Sequence, residues 1–238
     1  MKKIYLSVLY IVIIVLPVVS QELTIDQVLD KYYKANGFDK MQKINTIIMS
    51  GFITRQDYMP MKILKMRPDK YKMEFDIQDI TAYQSYDGQT GWMTAPWTGN
   101  SKPQIMQEEA IKDVKIKADF DGAIYKWKEK EHKAELIGKE NLNDKEVYKV
   151  KLTRKDGGVE YYFIDTMDYL LQKKLTTRMS RGKEIEVESF YTDYRDVEGI
   201  KFAFANENLM GGQPYSSIQY ETIEVNKTVD EKTFKMPE

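Results

Sequence analysis

The chain opens with an apolar run and then changes period twice. Met1-Lys2-Lys3 is a short positive start, and Ile4 to Val19 is almost wholly apolar. Val18-Val19-Ser20 places modest side chains before a cut at Gln21, the layout of a secretory leader. The run is shorter than the ~20 residues that a membrane-spanning helix needs. This predicts a leader over residues 1–20 and a single secreted domain over 21–238. From Leu23 to Asn36 the period is helical: Ile25, Val28, Leu29, Tyr32 and Tyr33 fall on one stripe. Thr24 and Gln27 have the spacing of a capping box, and Gly37 stands where a left-handed stop belongs.

After Ile44 the period drops to two. Tyr71, Met73, Phe75 and Ile77 alternate with charged residues, as do Tyr148, Val150 and Leu152, and later Ile185 and Val187. Each pattern predicts a strand with one buried and one wet face. Asp87-Gly88, Asp156-Gly157-Gly158, Arg181-Gly182 and Gly211-Gly212 separate such runs as hairpin turns. About eleven strands result, mostly hairpin-linked and therefore antiparallel. At ~4.8 Å per strand, a flat sheet of that size would be roughly 50 Å wide. Sheets that wide curl, split or close. The expectation is a mainly β (α+β) fold: a strongly curved antiparallel sheet forming an unclosed half-barrel, with an N-terminal helix.

One segment departs from the β pattern. Ile105 to Ala118 returns to helical spacing, with Met106, Ile111 and Val114 on its apolar side. Glu108 and Glu109 lie early and Lys115 and Lys117 late, as the helix dipole favours. A helix between strands predicts a lid lying over the sheet. Trp92, Met93 and Trp97 come just before it, in a Pro- and Gly-bearing stretch. Together with the strand residues Tyr71, Met73 and Phe75, they are candidates for the rim and lining of a pocket. The alternative is that both indoles simply pack the rim of the sheet.

Composition then narrows the chemistry. The 238 residues include 36 basic and 37 acidic side chains, one His and no Cys. That excludes disulfides, Cys-ligated metals, multi-His metal centres and a Cys nucleophile. A balanced charge gives no broad field for nucleic acid. His132 sits in a charged stretch and reads as a surface residue. Asp119-Phe120-Asp121-Gly122 starts like a calcium loop, but Lys130 occupies the position where the closing Glu would fall, so it reads as a turn. No phosphate loop or dinucleotide fingerprint is present, no cofactor is implied, and no carboxylate pair stands out. These absences favour a container or a contact surface over an enzyme. The 13 Met and 17 Tyr suit an adaptable, semi-polar lining, or ordinary core filling.

Several motifs in order resemble the periplasmic lipoprotein carriers of the LolA/LolB type, the outer-membrane lipoprotein-sorting proteins. They are the helix ending Ala35-Asn36-Gly37, then Arg67-Pro68-Asp69-Lys70-Tyr71, then Tyr86-Asp87-Gly88-Gln89-Thr90-Gly91-Trp92. Tyr161-Tyr162-Phe163-Ile164-Asp165, the run from Asp193 to Phe202, and the close from Asn226 to Phe234 follow. The resemblance covers nearly all of the chain after the leader. It implies an unclosed, helix-capped barrel whose apolar cavity takes acyl chains of lipoproteins or another lipid, working in the periplasm with membrane-bound donor or acceptor proteins. Ala203 stands where such proteins often carry Pro, and a single Gly37 where a Gly pair is frequent. The arginine that controls opening in those carriers has two candidates here, Arg55 and Arg67. Two other expectations compete: an envelope sensor or scaffold of the same fold that binds a partner protein, and a carboxylate-dependent hydrolase.

Overall fold

The computed structural model describes residues 23–77, 80–180 and 182–237. The expected leader and its cut lie outside them. Thr24 caps helix α1 (Ile25–Asn36) as the spacing requires. Its backbone N–H donates to Gln27 Oε1 at 2.9 Å, and its hydroxyl accepts from the Gln27 N–H at 3.3 Å. Gly37 ends the helix at φ 74°. A side chain there is barred twice, by that left-handed backbone and by Gly199, whose carbonyl oxygen would lie 2.2 Å from an added Cβ. The short helix α2 (Phe38–Met41) follows.

Six strands then run outward from the middle of a sheet: β1 (Thr46–Thr54), β2 (Tyr58–Met66), β3 (Lys70–Ile77), β4 (Ile80–Tyr86), β5 (Gly91–Ala95) and β6 (Asn100–Ile105). Helix α3 (Glu108–Ala118) and a turn-rich segment, 119–132, carry the chain to the opposite edge. Seven strands return from there: β7 (Lys133–Leu142), β8 (Lys145–Thr153), β9 (Val159–Asp165), β10 (Leu171–Ser180), β11 (Lys183–Val197), β12 (Ile200–Met210) and β13 (Gln213–Val225). β13 pairs with β1, giving the order β6-β5-β4-β3-β2-β1-β13-β12-β11-β10-β9-β8-β7. Each neighbouring pair is antiparallel. The sheet is curved and unclosed, and β6 and β7 are its edges.

Thirteen strands stand where the turn signals suggested about eleven. β6 had no alternation to find: its sequence is NSKPQI, with Pro103 tolerated because the strand is an edge. Ile105 belongs to this strand, so the lid helix is shorter than its periodicity implied.

Both longer helices pack on the concave face. Val28, Leu29 and Tyr32 of α1 bury against Tyr148, Val150, Leu152, Tyr162, Ile164 and Leu171. Val114 and Ala118 of α3 bury against Met61, Ile63, Tyr71 and Tyr86. A third cluster joins Ile44, Ile47, Phe120, Ile200, Phe204, Ile223 and Val225. Each fully buried aliphatic side chain contributes about 1.5–3 kcal/mol. On the outer face, the chain ends in a one-turn 3-10 helix, Glu231–Phe234, with Phe234 wholly buried.

Candidate functional site

The nine residues singled out from the sequence fall into two groups. Tyr71, Met73 and Phe75 line the concave face of β3, and Met93 joins them from β5. Met106, Ile111 and Val114 meet them from the lid side, so seven of the nine share one cluster. That cluster is filled by its own side chains: Val114, Tyr71 and Met106 are buried. Its tightest point is Gly91, where an added Cβ would lie 2.4 Å from Ile111 Cδ1 and 3.0 Å from Met106 Sδ. The missing side chain is what lets α3 sit against the strand.

The two indoles lie elsewhere. Trp92 pairs in register with Ser85 and Ile105 on the outer face, as alternation demands of a residue next to Met93. It is 3% exposed, and its Nε1–H donates to the Phe234 carbonyl at 2.8 Å. Ser85 Oγ donates to the same carbonyl at 2.8 Å. Trp97 stands in a 3-10 turn between β5 and β6, 56% exposed, its ring stacked on Phe75 with 6.3 Å between centroids.

Open space lies further along the concave face, between α1 and α3. A cavity of about 330 Å³ is walled by Tyr32, Asn36, Phe38 and Met41 of the first two helices, Ile116 of α3, and residues 121–124 of the crossover. Its floor is Tyr162, Leu171, Lys174, Tyr191, Tyr194, Asn206 and Tyr220, from five neighbouring strands. The signal for it lies in the tyrosine content, which suits a semi-polar lining but does not say which of the 17 Tyr share the cavity. A second hollow, about 340 Å³, lies on the outer face among Lys62, Glu74, Asp76, Thr81 and Tyr83. It is more polar and lacks a helical cover.

Two ionic clusters hold the cavity walls. Glu160 is wholly buried and accepts from Arg154 Nη1 at 2.6 Å and the Tyr162 hydroxyl at 2.6 Å, with Lys174 Nζ 2.7 Å away. Burial alone would raise its pKa, but the Lys174 ammonium and these hydrogen bonds outweigh burial and hold the carboxylate below its ordinary value. The other cluster fixes the crossover. Arg67 grips Asp121 through two bonds of 2.7 and 2.6 Å, and Lys130 grips Asp119 through two of 2.8 and 2.7 Å. Lys65 donates to the Asp119 carbonyl at 2.9 Å, and its burial draws its pKa down to about 8. The Asp119–Gly122 stretch is thus a turn with both carboxylates committed. Arg55 lies at the far end of β1, its guanidinium 4.4 Å from the Tyr215 ring centroid. His132 is half-buried rather than solvated, its Nδ1 accepting from the Lys155 N–H at 3.1 Å. Among the described residues no group of three or more His, Cys, Asp or Glu side chains is placed to hold a metal ion.

α3 is tied across the mouth. Asp113 pairs with Arg178 of β10, and Lys117 donates to Gln84 Oε1 of β4 at 2.9 Å. Both contacts are at least partly exposed, and pairs of that kind contribute about 0–1 kcal/mol each. The lid is held on the β2–β4 side by apolar contact and the Lys117–Gln84 bond, and across the gap by the weak Asp113–Arg178 pair.

No family model matches the chain, and no curated protein matches it in sequence. Solved structures match it in shape. A LolA superfamily protein from Nitrosomonas europaea is 14% identical, with a TM-score of 0.60 over 90% of this chain and 98% of its own. A DUF1329 family protein from Desulfovibrio piger is 13% identical, with a TM-score of 0.61 over 87% of this chain and 97% of its own. A domain from Vibrio parahaemolyticus named for outer membrane lipoprotein sorting is 11% identical, with a TM-score of 0.57 over 87% and 97%. The chain has the LolA-like fold that its motifs suggested.

Proposed function

We propose that the protein is a cell-envelope carrier that holds an acyl chain, of a lipoprotein or another lipid, in the cavity between α1 and α3 for transfer toward the outer membrane. One observation carries this reading: a hollow of about 330 Å³ remains on the concave face of an open sheet, flanked by helices and lined largely by aromatic and aliphatic side chains. The leader-like N-terminus supports work in the periplasm, where a donor and an acceptor in the two membranes would load and unload the carrier. An acyl chain of about 14 methylenes loses roughly 11 kcal/mol on entering water. A soluble container must replace most of that contact and hide its lining when empty. The cavity stands at the small end of the roughly 300–1,000 Å³ typical of ligand sites. A multiply acylated cargo therefore requires α3 or the crossover to move outward, and the pair that ties α3 across the gap, Asp113–Arg178, is partly exposed and weak.

The test is uptake of a fluorescent fatty-acid probe by delipidated protein, with mass spectrometry of whatever travels with the freshly purified chain. Saturable uptake and a co-purifying lipid are expected. No uptake and no lipid would reject the carrier. The second reading, an envelope sensor or scaffold that binds a partner protein, draws on the exposed rim, where Trp97 and Ile80 lie at neighbouring strand ends. It predicts a stable protein complex and little lipid.

A further inference from the structure

The cavity is not uniformly greasy, and its polar groups are one-sided. Several are already committed. Arg67 takes both oxygens of Asp121, Tyr194 donates to the Leu171 carbonyl at 2.7 Å, and Asn36 Nδ2 donates to the carbonyls of Tyr32 and Tyr169. Asn206 Oδ1 accepts from Asn208 Nδ2 at 3.0 Å, which leaves the Asn206 N–H groups unused. Lys174 meets Glu160 with one N–H and keeps two. The hydroxyls of Tyr32 and Tyr220 make no hydrogen bond to a described residue. No buried polar side-chain atom among the described residues is sealed off without a partner, so these hydroxyls open onto space, and the space their residues line is the cavity.

The uncommitted groups also line one and the same cavity. Tyr191, opposite Asn206 in the β11–β12 register, is close enough to Tyr32, Tyr220 and Lys174 to interact with each electrostatically. Burial pushes the phenols of Tyr32 and Tyr220 well above their ordinary pKa, so both stay protonated. Each of these cavity-facing groups therefore keeps a hydrogen to donate. A ligand entering the hollow displaces the water that meets them, and a carboxylate is an acceptor that can meet several donors at once.

We propose that the cavity takes a single-chain fatty acid with its carboxylate inward, received by Lys174, Asn206, Tyr32 and Tyr220. This rests on the carrier reading and narrows it. The volume agrees: at ~30 Å³ for each water-sized group, 330 Å³ holds roughly eleven non-hydrogen atoms, close to the number in decanoate.

The experiment is calorimetric titration of delipidated full-length protein with decanoate, methyl decanoate and decyl phosphate. Decanoate should bind about ten-fold or more tightly than its methyl ester. Tyr220→Phe and Tyr32→Phe should each weaken decanoate about three- to ten-fold and leave the ester unchanged, with unaltered circular dichroism. Equal affinity for acid and ester, or unchanged decanoate binding in both variants, would overturn the inward carboxylate while the carrier stands. Decyl phosphate binding ten-fold more tightly than decanoate would overturn the choice of head group. Binding of none of the three would remove the proposal together with the carrier reading beneath it.

Discussion

Arg67 is the residue whose loss should do most to open the cavity. Its guanidinium ties three separate pieces of wall. Nη1 and Nη2 hold Asp121 on the crossover, Nη2 also reaches the Met41 carbonyl at 3.0 Å, and Nε reaches the Ile44 carbonyl at 2.7 Å. The group lies 4.2 Å from the centre of the Phe120 ring. Met41 and Asp121 both line the cavity. Breaking a fully buried pair costs about 3–5 kcal/mol. This one is 25% and 18% exposed at its two side chains, so solvent reduces the cost to about 2–3 kcal/mol. A domain of this size loses roughly 2–4 °C of Tm per kcal/mol, so Arg67→Met should melt about 4–12 °C lower. Arg67→Lys should lose most of the same amount, because an ammonium cannot make the bidentate fork or stack on Phe120. Hydrogen exchange should rise selectively at residues 119–126, and bound probe should leave faster. An Arg67→Lys protein with Tm within about 1 °C of the parent and unchanged exchange across 119–126 would refute this account of how the wall is held.

Ile111→Glu puts a carboxylate where an apolar side chain meets Gly91, and should cost about 2–4 kcal/mol in chemical denaturation; a loss below 1 kcal/mol would mean that α3 does not rest there. Trp92→Phe removes the indole donor to Phe234, so the urea midpoint should fall by the equivalent of about 1–2 kcal/mol. Probe uptake should be unchanged, because Trp92 lies on the outer face; weakened uptake in a folded variant would count against that separation. Lys65 has a folded pKa of about 8 against an ordinary 10.5, so between those values the unfolded chain binds more protons than the folded one. Its contribution should therefore make the protein more stable as pH rises from about 8 to 10.5, by at most ~1.4 kcal/mol per pH unit. Lys65→Met should lack that rise, and parallel stability profiles for parent and variant from pH 7.5 to 10 would show that Lys65 is not desolvated.

The elements were legible wherever one short-range rule decides. The Thr24 and Gln27 capping box, the Gly37 stop and the alternation of Tyr71, Met73 and Phe75 all stand as their spacing indicates. The same alternation says that Trp92 and Met93 cannot share a face. It does not say which of them looks outward; that is decided by Phe234, 142 positions further on, supplying an acceptor to the indole. The cavity was less legible because its lining comes from three helices, the crossover and five strands. Its existence follows from topology. The chain leaves the sheet at β6 and re-enters at β7, the opposite edge, so α3 and residues 119–132 must cross the sheet, and their packing puts them on the concave side. α1 covers β8–β10 and α3 covers β2–β4. Helices are about 10–12 Å across, whereas thirteen strands at ~4.8 Å amount to roughly 60 Å of sheet before curvature. Two helices cannot cover that width. The gap between them falls where β11–β13 carry Tyr191, Asn206 and Tyr220, whereas Phe120 of the crossover covers Ile200, Phe204, Ile223 and Val225 elsewhere on the same part of the sheet. A core meant to be sealed would carry aliphatic side chains there; phenols and an amide suit a hollow that alternates between water and a ligand.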